Sequence, residues 1–302
     1  MNTNVSGANQ PLIVKYSVSE RNGIQSINLS RNAIGYVSKG KKHIYYGDVC
    51  YEIGQGELFY INIGTHYVED IPDDKKAFEQ FMFYYSSELI SDILGTLTRN
   101  YGMIITNEHK CEKCHNKLHA NVPAWSSLKS FFGAVGQFLK EEDFPGHKVI
   151  EKLKMTELIC LVMAKKDCCV ASKILTNITT SSESFERLVQ KHIFEDVTIE
   201  EMAERCGMSL TSFKRSFKNH FYESPHRWIL RQRLMQARML LISTDRTISD
   251  IGSECGFNNA SHFIKLFKGE FGYTPAAYRA KSLREGEPDL KVKHRNNKAV
   301  AH

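Results

Sequence analysis

Thr198-Ile-Glu-Glu-Met-Ala-Glu-Arg-Cys-Gly207 and Thr247-Ile-Ser-Asp-Ile-Gly-Ser-Glu-Cys-Gly256 open two copies of one plan. Phe213, Phe217, Phe221, Pro225 and Trp228 continue the first copy, and Phe263, Phe267, Phe271, Pro275 and Tyr278 continue the second. The offset is 49 residues as far as the glycine and 50 beyond it, so the second copy has gained one residue in its turn. Ordered correspondences with one small shift mark an internal repeat, and the repeat decides how the rest of the chain is read.

Each copy reads as helix, tight turn, helix. Ile199, Met202, Ala203 and Cys206 share one face of a helix. Gly207 then supplies the left-handed backbone that ends it at little steric cost. Ser209 or Thr211 caps the next helix, which turns Phe213, Phe217 and either His220 or Phe221 inward. Second helices are expected at about 209–221 and 259–271. Their outward residues are Ser209, Thr211, Ser212, Lys214, Arg215 and Lys218 in the first copy. In the second they are Asn259, Ala260, Ser261, His262, Lys265 and Lys268. Hydroxyls, amides and cations on the outer face of a second helix suit major-groove readout, with neighbouring cations left for phosphates. One such unit reads equally as a helical bundle with a solvated surface; two in register displace that reading.

Pro225 to Ile242 reads as one continuous helix. About 18 residues at 1.5 Å per residue span roughly 27 Å, approaching the 34 Å or so of one DNA turn. Arg205, Lys214, Arg215, Lys218, Arg227, Arg231, Arg233 and Arg238 face a single acid, Glu223, within the same stretch. That is a local basic stripe in a chain whose formal net charge is +6.

This region resembles the AraC/XylS family of bacterial transcription regulators. The matching residues include Ala203, Cys206-Gly-Met-Ser209, Phe213-Lys-Arg215, Ser224-Pro225, Gly256-Phe257 and Thr274-Pro-Ala-Ala-Tyr278-Arg279, within residues 184 to 281. The resemblance implies base-facing positions at Thr211, Lys214 and Arg215, then at Ala260, Ser261 and Lys265. Ala260 has no hydrogen-bonding group and is limited to contact with a thymine methyl. The resemblance further implies double-stranded promoter DNA as partner, a homodimer, contact with RNA polymerase, and control by a small-molecule or protein effector. Ser209-Leu-Thr-Ser-Phe-Lys and Pro225-His-Arg-Trp-Ile are similar to the branch that activates type III secretion genes. The expected sign is activation, with a repressor or dual regulator under a protein partner as the alternative.

Ahead of the repeat, Ile34–Val37, His43–Tyr46, Val49–Ile53, Glu57–Ile63 and Phe78–Tyr85 read as strands separated by turn residues. Family members often place a cupin-like β-barrel here, and Gly56 to His66 looks like a degenerate cupin motif. Asn62 stands where proline is usual, and His43 is alone where paired histidines belong. No catalytic metal centre, no enzyme activity and no cofactor are therefore expected, and a cupin-type enzyme with a DNA-binding appendage is the remote alternative. Tyr36, Tyr45, Tyr51, Phe59 and Tyr60 either line a ligand cavity or form a core. Two amphipathic helices follow, around Trp125–Leu139 and Ile150–Val162.

The fold class is α+β: a cupin-like β-barrel plus helical hairpin, then an all-α domain with two helix-turn-helix units. The expected divisions are 1–120 for the regulatory β-domain, 121–171 for a helical dimerisation segment, 172–183 for a linker, 184–283 for the DNA-binding domain and 284–302 for a disordered tail.

The chain has eight irregularly spaced cysteines, which suggest no disulfide framework. Cys111-Glu-Lys-Cys114-His115 with His119 offers four metal ligands within nine residues, but structural zinc usually bridges separated segments, so this run reads as a solvated loop. A polar N-terminus and the absence of a long apolar run point to a cytoplasmic protein without membrane contact.

Overall fold

A computed structural model describes residues 11–285, apart from 22, 47–48, 74–76, 110, 112–118, 142–145, 179 and 196. Strands β1 (Ile13–Val18), β2 (Gln25–Leu29), β3 (Asn32–Lys39) and β4 (Lys41–Tyr46) come first. They are followed by β5 (Val49–Ile53), β6 (Glu57–Ile61), β7 (Gly64–Ile71) and β8 (Phe78–Tyr85). Helix α1 (Ser87–Tyr101), strand β9 (His119–Pro123) and helices α2 (Ser126–Phe138), α3 (His147–Met163) and α4 (Cys169–Thr176) complete the N-terminal half. The C-terminal half is helical: α5 (Thr180–His192), α6 (Ile199–Arg205), α7 (Leu210–Phe221), α8 (Pro225–Ser243), α9 (Ile248–Glu254), α10 (Ala260–Phe271) and α11 (Pro275–Glu285).

The strands form two antiparallel sheets, ordered β1-β8-β3-β6-β9 and β2-β7-β4-β5. The runs 1-8-3-6 and 2-7-4-5 are the interleaved order of a double-sheet jelly roll. The expected closed barrel is not what forms: each sheet stays open at its edges. The reason lies in the side-chain alternation. On β3 and β6, Ala33, Val37, Phe59 and Ile61 point between the sheets, while Ile34, Tyr36, Leu58 and Tyr60 point to the other side. Both faces of the five-stranded sheet are thus apolar, and helices α1 to α4 cover its outer face through Leu128, Phe132, Val135 and Leu158. Gly35 sits opposite Phe59 in the register, and a Cβ there would fall 2.0 Å from the Phe59 ring. A bare backbone is what lets that ring lie across the strand.

One end of the outer face of the four-stranded sheet is apolar too, while His43, Glu52 and Glu69 form a charged cluster at the other. Tyr45, Cys50 and Tyr67, with Ile24, share one core with Leu241, Phe263, Phe267 and Tyr278 of the second repeat. Tyr67 Oη donates to the Gln232 carbonyl at 3.2 Å, and the Thr65 N–H donates to Gln190 Oε1 at 3.3 Å. The first repeat has its own core, from Phe185 and Val189 to Phe213, Phe217, Phe221 and Trp228. The layers therefore run helices, sheet, sheet, DNA-binding-type helices.

Residues 172–183, expected as a linker, run through the end of α4 and the start of α5. Ile174 is buried against the N-terminal helices, and Phe185 and Val189 are buried in the first repeat, so this polar-looking stretch is anchored at both ends. The boundary expected at 120/121 falls inside β9, which pairs with β6. Residues 286–302 of the expected tail lie outside the described residues.

The five aromatics, expected either to line a ligand cavity or to form a core, do not face one space. Tyr36 and Tyr60 belong to the helix-side core, Phe59 to the inter-sheet core, and Tyr45 to the core shared with the second repeat. Tyr51 packs on His119, centroid to centroid 4.3 Å.

His66, the residue left from the cupin-like motif, is a buried structural imidazole. Its Nε2 lies 2.8 Å from the Asn62 carbonyl, which identifies the protonated ring nitrogen. Burial holds its pKa down at about 4, against the opposing pull of that hydrogen bond. An unfolded histidine titrates near 6.5, so the unfolded chain takes up the proton first as pH falls. The stability tied to neutral His66 is present above about pH 6.5 and drains away towards pH 4, a change of about 3 kcal/mol. Urea unfolding at a series of pH values should show this acid limb, and His66→Gln should flatten it. An unchanged limb in the variant assigns acid lability elsewhere. His43 acts in the opposite window. Burial opposes its charge, but hydrogen bonds to Cys50, Glu69 and Glu52 raise it to about 10. Its contribution is whole below about pH 6.5 and is lost as pH rises towards 10.

Candidate nucleic-acid interface

The two repeats are built by the same local devices. Thr198 caps α6 and forms a capping box with Glu201, and Thr247 caps α9 by accepting from the Asp250 N–H. Gly207 and Gly256, at φ 65° and 79°, make the turns. Ser209 caps α7 and Asn259 caps α10, accepting from the N–H groups of Ser212 and His262. Phe213, Phe217 and Phe221 are buried under α7, and Phe263, Phe267 and Phe271 under α10. His220 is half-buried, its Nδ1 2.6 Å from the Ser216 carbonyl. Burial of the apolar side fixes which side of each helix is left for solvent.

On α7 the exposed residues include Thr211, Lys214, Arg215 and Lys218, with Ser212 half-buried; on α10 they include Ala260, Ser261, His262, Lys265 and Lys268. Ser209 and Asn259 are exposed as well, but their side-chain oxygens are engaged in capping. Asn259 keeps its amide N–H groups for a further partner. Helix α8, 19 residues long, joins the units over roughly 28 Å.

The basic stripe divides sharply once the contacts are placed. Arg205 pairs with Glu195. Arg227 and Arg231 both pair with Glu223, at 3.0 and 3.1 Å. Arg233 donates to the carbonyls of Ile193, Glu195 and Gly256, tying the lead-in of the first repeat to the turn of the second. Arg238 is 1% exposed, with Nε 2.5 Å from Tyr278 Oη and its guanidinium over the Tyr45 and Phe271 rings. Five of the eight cations therefore have partners within the chain, although Arg205 and Arg227 stay largely exposed. Lys214, Arg215 and Lys218 remain, all on the outer side of α7, and among the described residues no ion pair is recorded for them. The same is true of Lys265 and Lys268 on α10. These five are the cations an anionic partner meets first.

The residue-by-residue equivalence brings out one position that outward-facing polarity did not select. Ile264, 36% exposed on α10, occupies the place of Lys214 in the first unit. It lies one helical turn after Ala260, so α10 carries an apolar strip where α7 carries a cation. The 50-residue offset was the signal that finds it.

Of the four metal-ligand candidates, Cys111 and His119 lie in different surroundings. Cys114 and His115 lie outside the described residues. His119 lies on β9, buried and stacked on Tyr46 with centroids 5.5 Å apart. Cys111 sits instead with His109 and Cys169. Among the described residues no helix is long and apolar enough to cross a membrane.

Residues 202–281 match the helix-turn-helix domain family, and residues 32–168 match the ExsA N-terminal regulatory domain family. The chain is 23% identical over 248 residues to the HTH-type transcriptional regulator ExsA of Pseudomonas aeruginosa, a match covering 82% of this chain and 84% of that protein. It is 31% identical over 154 residues to the HTH-type transcriptional activator RhaS of an Enterobacter species, covering 51% of this chain and 55% of that one. It is 28% identical over 142 residues to the virulence regulon transcriptional activator VirF of Yersinia enterocolitica, covering 47% and 52%. The matched region is thus about half the length of the last two relatives.

Proposed function

Because the chain belongs to the AraC/XylS family of sequence-specific DNA-binding transcription regulators, we propose that it activates transcription by setting α7 and α10 into successive major grooves of promoter DNA. The observation that carries this reading is the partition of charge. Five of the eight cations in the stripe have partners within the chain, while Lys214, Arg215 and Lys218 on α7 stand outward with Lys265 and Lys268 at equivalent places on α10. Thr211 and Ser261 supply hydroxyls at matched positions, and Ala260 with Ile264 offers methyl groups to a thymine. The spacing set by α8 suits adjacent grooves on one side of a duplex. The relatives are transcription regulators rather than enzymes, and the two with activator in their names favour activation over repression.

The N-terminal half is a regulatory domain in this reading, cupin-like in its jelly-roll strand order and spanning roughly residues 11–171. The DNA-binding part spans 184–283. Effector control through the β-domain is supported by the shared core of Tyr45 and Tyr67 with the second repeat, which ties the two halves directly. A homodimer through the helical segment is supported by Val149 and Leu153, exposed one turn apart on α3. A cytoplasmic setting and contact with RNA polymerase follow from the same activity.

Selection of bound duplexes from a random pool, with the full chain at about 150 mM salt, tests the proposal. Two enriched blocks about 10 base pairs apart are expected. One block reduces the second unit to a backbone clamp, and no enrichment with binding that only fades with salt removes the two-groove reading.

A further inference from the structure

The segment after α1 and the start of α4 are remote in sequence, yet they bring three metal-ligating side chains together. Cys169 Sγ lies 3.4 Å from His109 Nε2 and 4.0 Å from Cys111 Sγ. All three ligand atoms fall within 4.8 Å of one another. A tetrahedral zinc ion with Zn–S near 2.3 Å and Zn–N near 2.0–2.1 Å sets its ligand atoms about 3.8 Å apart for S and S, and about 3.5 Å apart for S and N. Both separations from Cys169 lie close to that geometry. A disulfide between Cys111 and Cys169 needs an S–S length near 2.05 Å and gives His109 no part.

We propose that His109, Cys111 and Cys169 bind a zinc ion. The ligands join segments 58 residues apart, as structural zinc sites do. Two thiolates balance the ion's charge, and a thiolate–imidazole set favours zinc over hard, oxygen-seeking cations. Cys169 is the first residue of α4, where the helix N-terminus favours the thiolate. The other nitrogen of the histidine points towards a carboxylate: His109 Nδ1 lies 3.9 Å from Asp167 Oδ1. At that distance the carboxylate attracts the imidazole without hydrogen-bonding it. Asp167 itself takes the left-handed backbone at φ 52°, uncommon for a residue with a side chain. His109 is nearly buried and both cysteines are half-buried, so the ion is held in the protein yet reachable from solvent. Lys173 of the same α4 donates to Tyr222 Oη at 2.9 Å, and Tyr222 is the C-cap of α7. The site thus fixes a helix that touches the end of the first recognition helix.

The test uses the full chain, purified under reducing conditions without chelator and then stripped. Titration with Co(II) should give the visible bands of a tetrahedral ion and a near-ultraviolet thiolate band, both removed by stoichiometric Zn(II). Zinc should slow alkylation of Cys111 and Cys169 in the unmutated protein while leaving half-buried Cys160 and Cys206 unaffected. The pair Cys111→Ser and Cys169→Ser should abolish the cobalt bands and Cys160→Ser should keep them. The proposal is overturned if the stripped chain takes up no cobalt, or if cobalt binds without protecting Cys111 and Cys169. Peptide mapping that finds those two cysteines joined in the protein as isolated overturns it equally.

Discussion

Truncating Phe267 to alanine is expected to destabilise the chain by about 3–5 kcal/mol and to loosen two parts of the molecule at once. Phe267 is fully buried, with ring centroids 4.6 Å from Phe271, 5.6 Å from Tyr278 and 5.8 Å from Phe263. The same core includes Ile24, Tyr45, Cys50 and Tyr67 of the N-terminal half. A cavity under α10 therefore also weakens the seat of the four-stranded sheet. Phe217, the equivalent residue in the first unit, is equally buried, but its core holds only residues from α5 to α8 and the segments between them. Phe217→Ala should cost a similar amount and reach the sheet only near Thr65, whose N–H donates to Gln190 of α5. Hydrogen exchange separates the two cases: Phe267→Ala should accelerate exchange in β4 and β5, and Phe217→Ala should not. Equal exchange in those strands for both variants would mean that the β-domain does not rest on the second unit in solution. That contact matters for control, because an effector can shift DNA binding only through contacts that differ between two states of the molecule.

How much of this was legible depended on whether the signal was local. The repeat carried its own punctuation, so helices expected at 209–221 and 259–271 form at 210–221 and 260–271. The threonine caps, the turn glycines and the phenylalanine ladder all act within a few residues. Helix α1 carries similar marks, with Ser86 capping its start, Ile90, Ile93 and Leu97 buried and Gly102 closing its end. Its polar surroundings hid them. The strands were partly visible, but their order was not. When both faces of a sheet are apolar, alternation records the face and is silent about the neighbour, so a closed barrel and an open jelly roll read alike. The basic stripe overstated the interface for a related reason. Nothing local distinguishes an arginine that braces carbonyls, as Arg233 does, from one that faces solvent, as Arg215 does. Cys111 and Cys169 meet only through the tertiary fold, whereas the adjacent Cys-x-x-Cys-His run drew notice by spacing alone.

Removing Arg215 and its counterpart Lys265 together should cost roughly 2–6 kcal/mol on a selected site, the sum of about 1–3 kcal/mol for each. Additivity is the informative part. The residues stand on helices joined through the 19-residue α8, and distant sites without shared partners contribute independently. Arg215→Ala alone should also relax base preference in one block of the site, and Lys265→Ala in the other. Lys218→Ala, at the last turn of α7, should instead weaken binding to all sequences alike and reduce the salt slope by about 1. The measurement is a double-mutant cycle of affinity on one duplex across a salt series. A double variant no weaker than Arg215→Ala would show that α10 never reaches the bases. An excess well beyond the sum would show that the two units engage DNA only as one body, so that loss of either contact misplaces the other. Additive losses with separate changes in base preference are what two independent readers on one rod require.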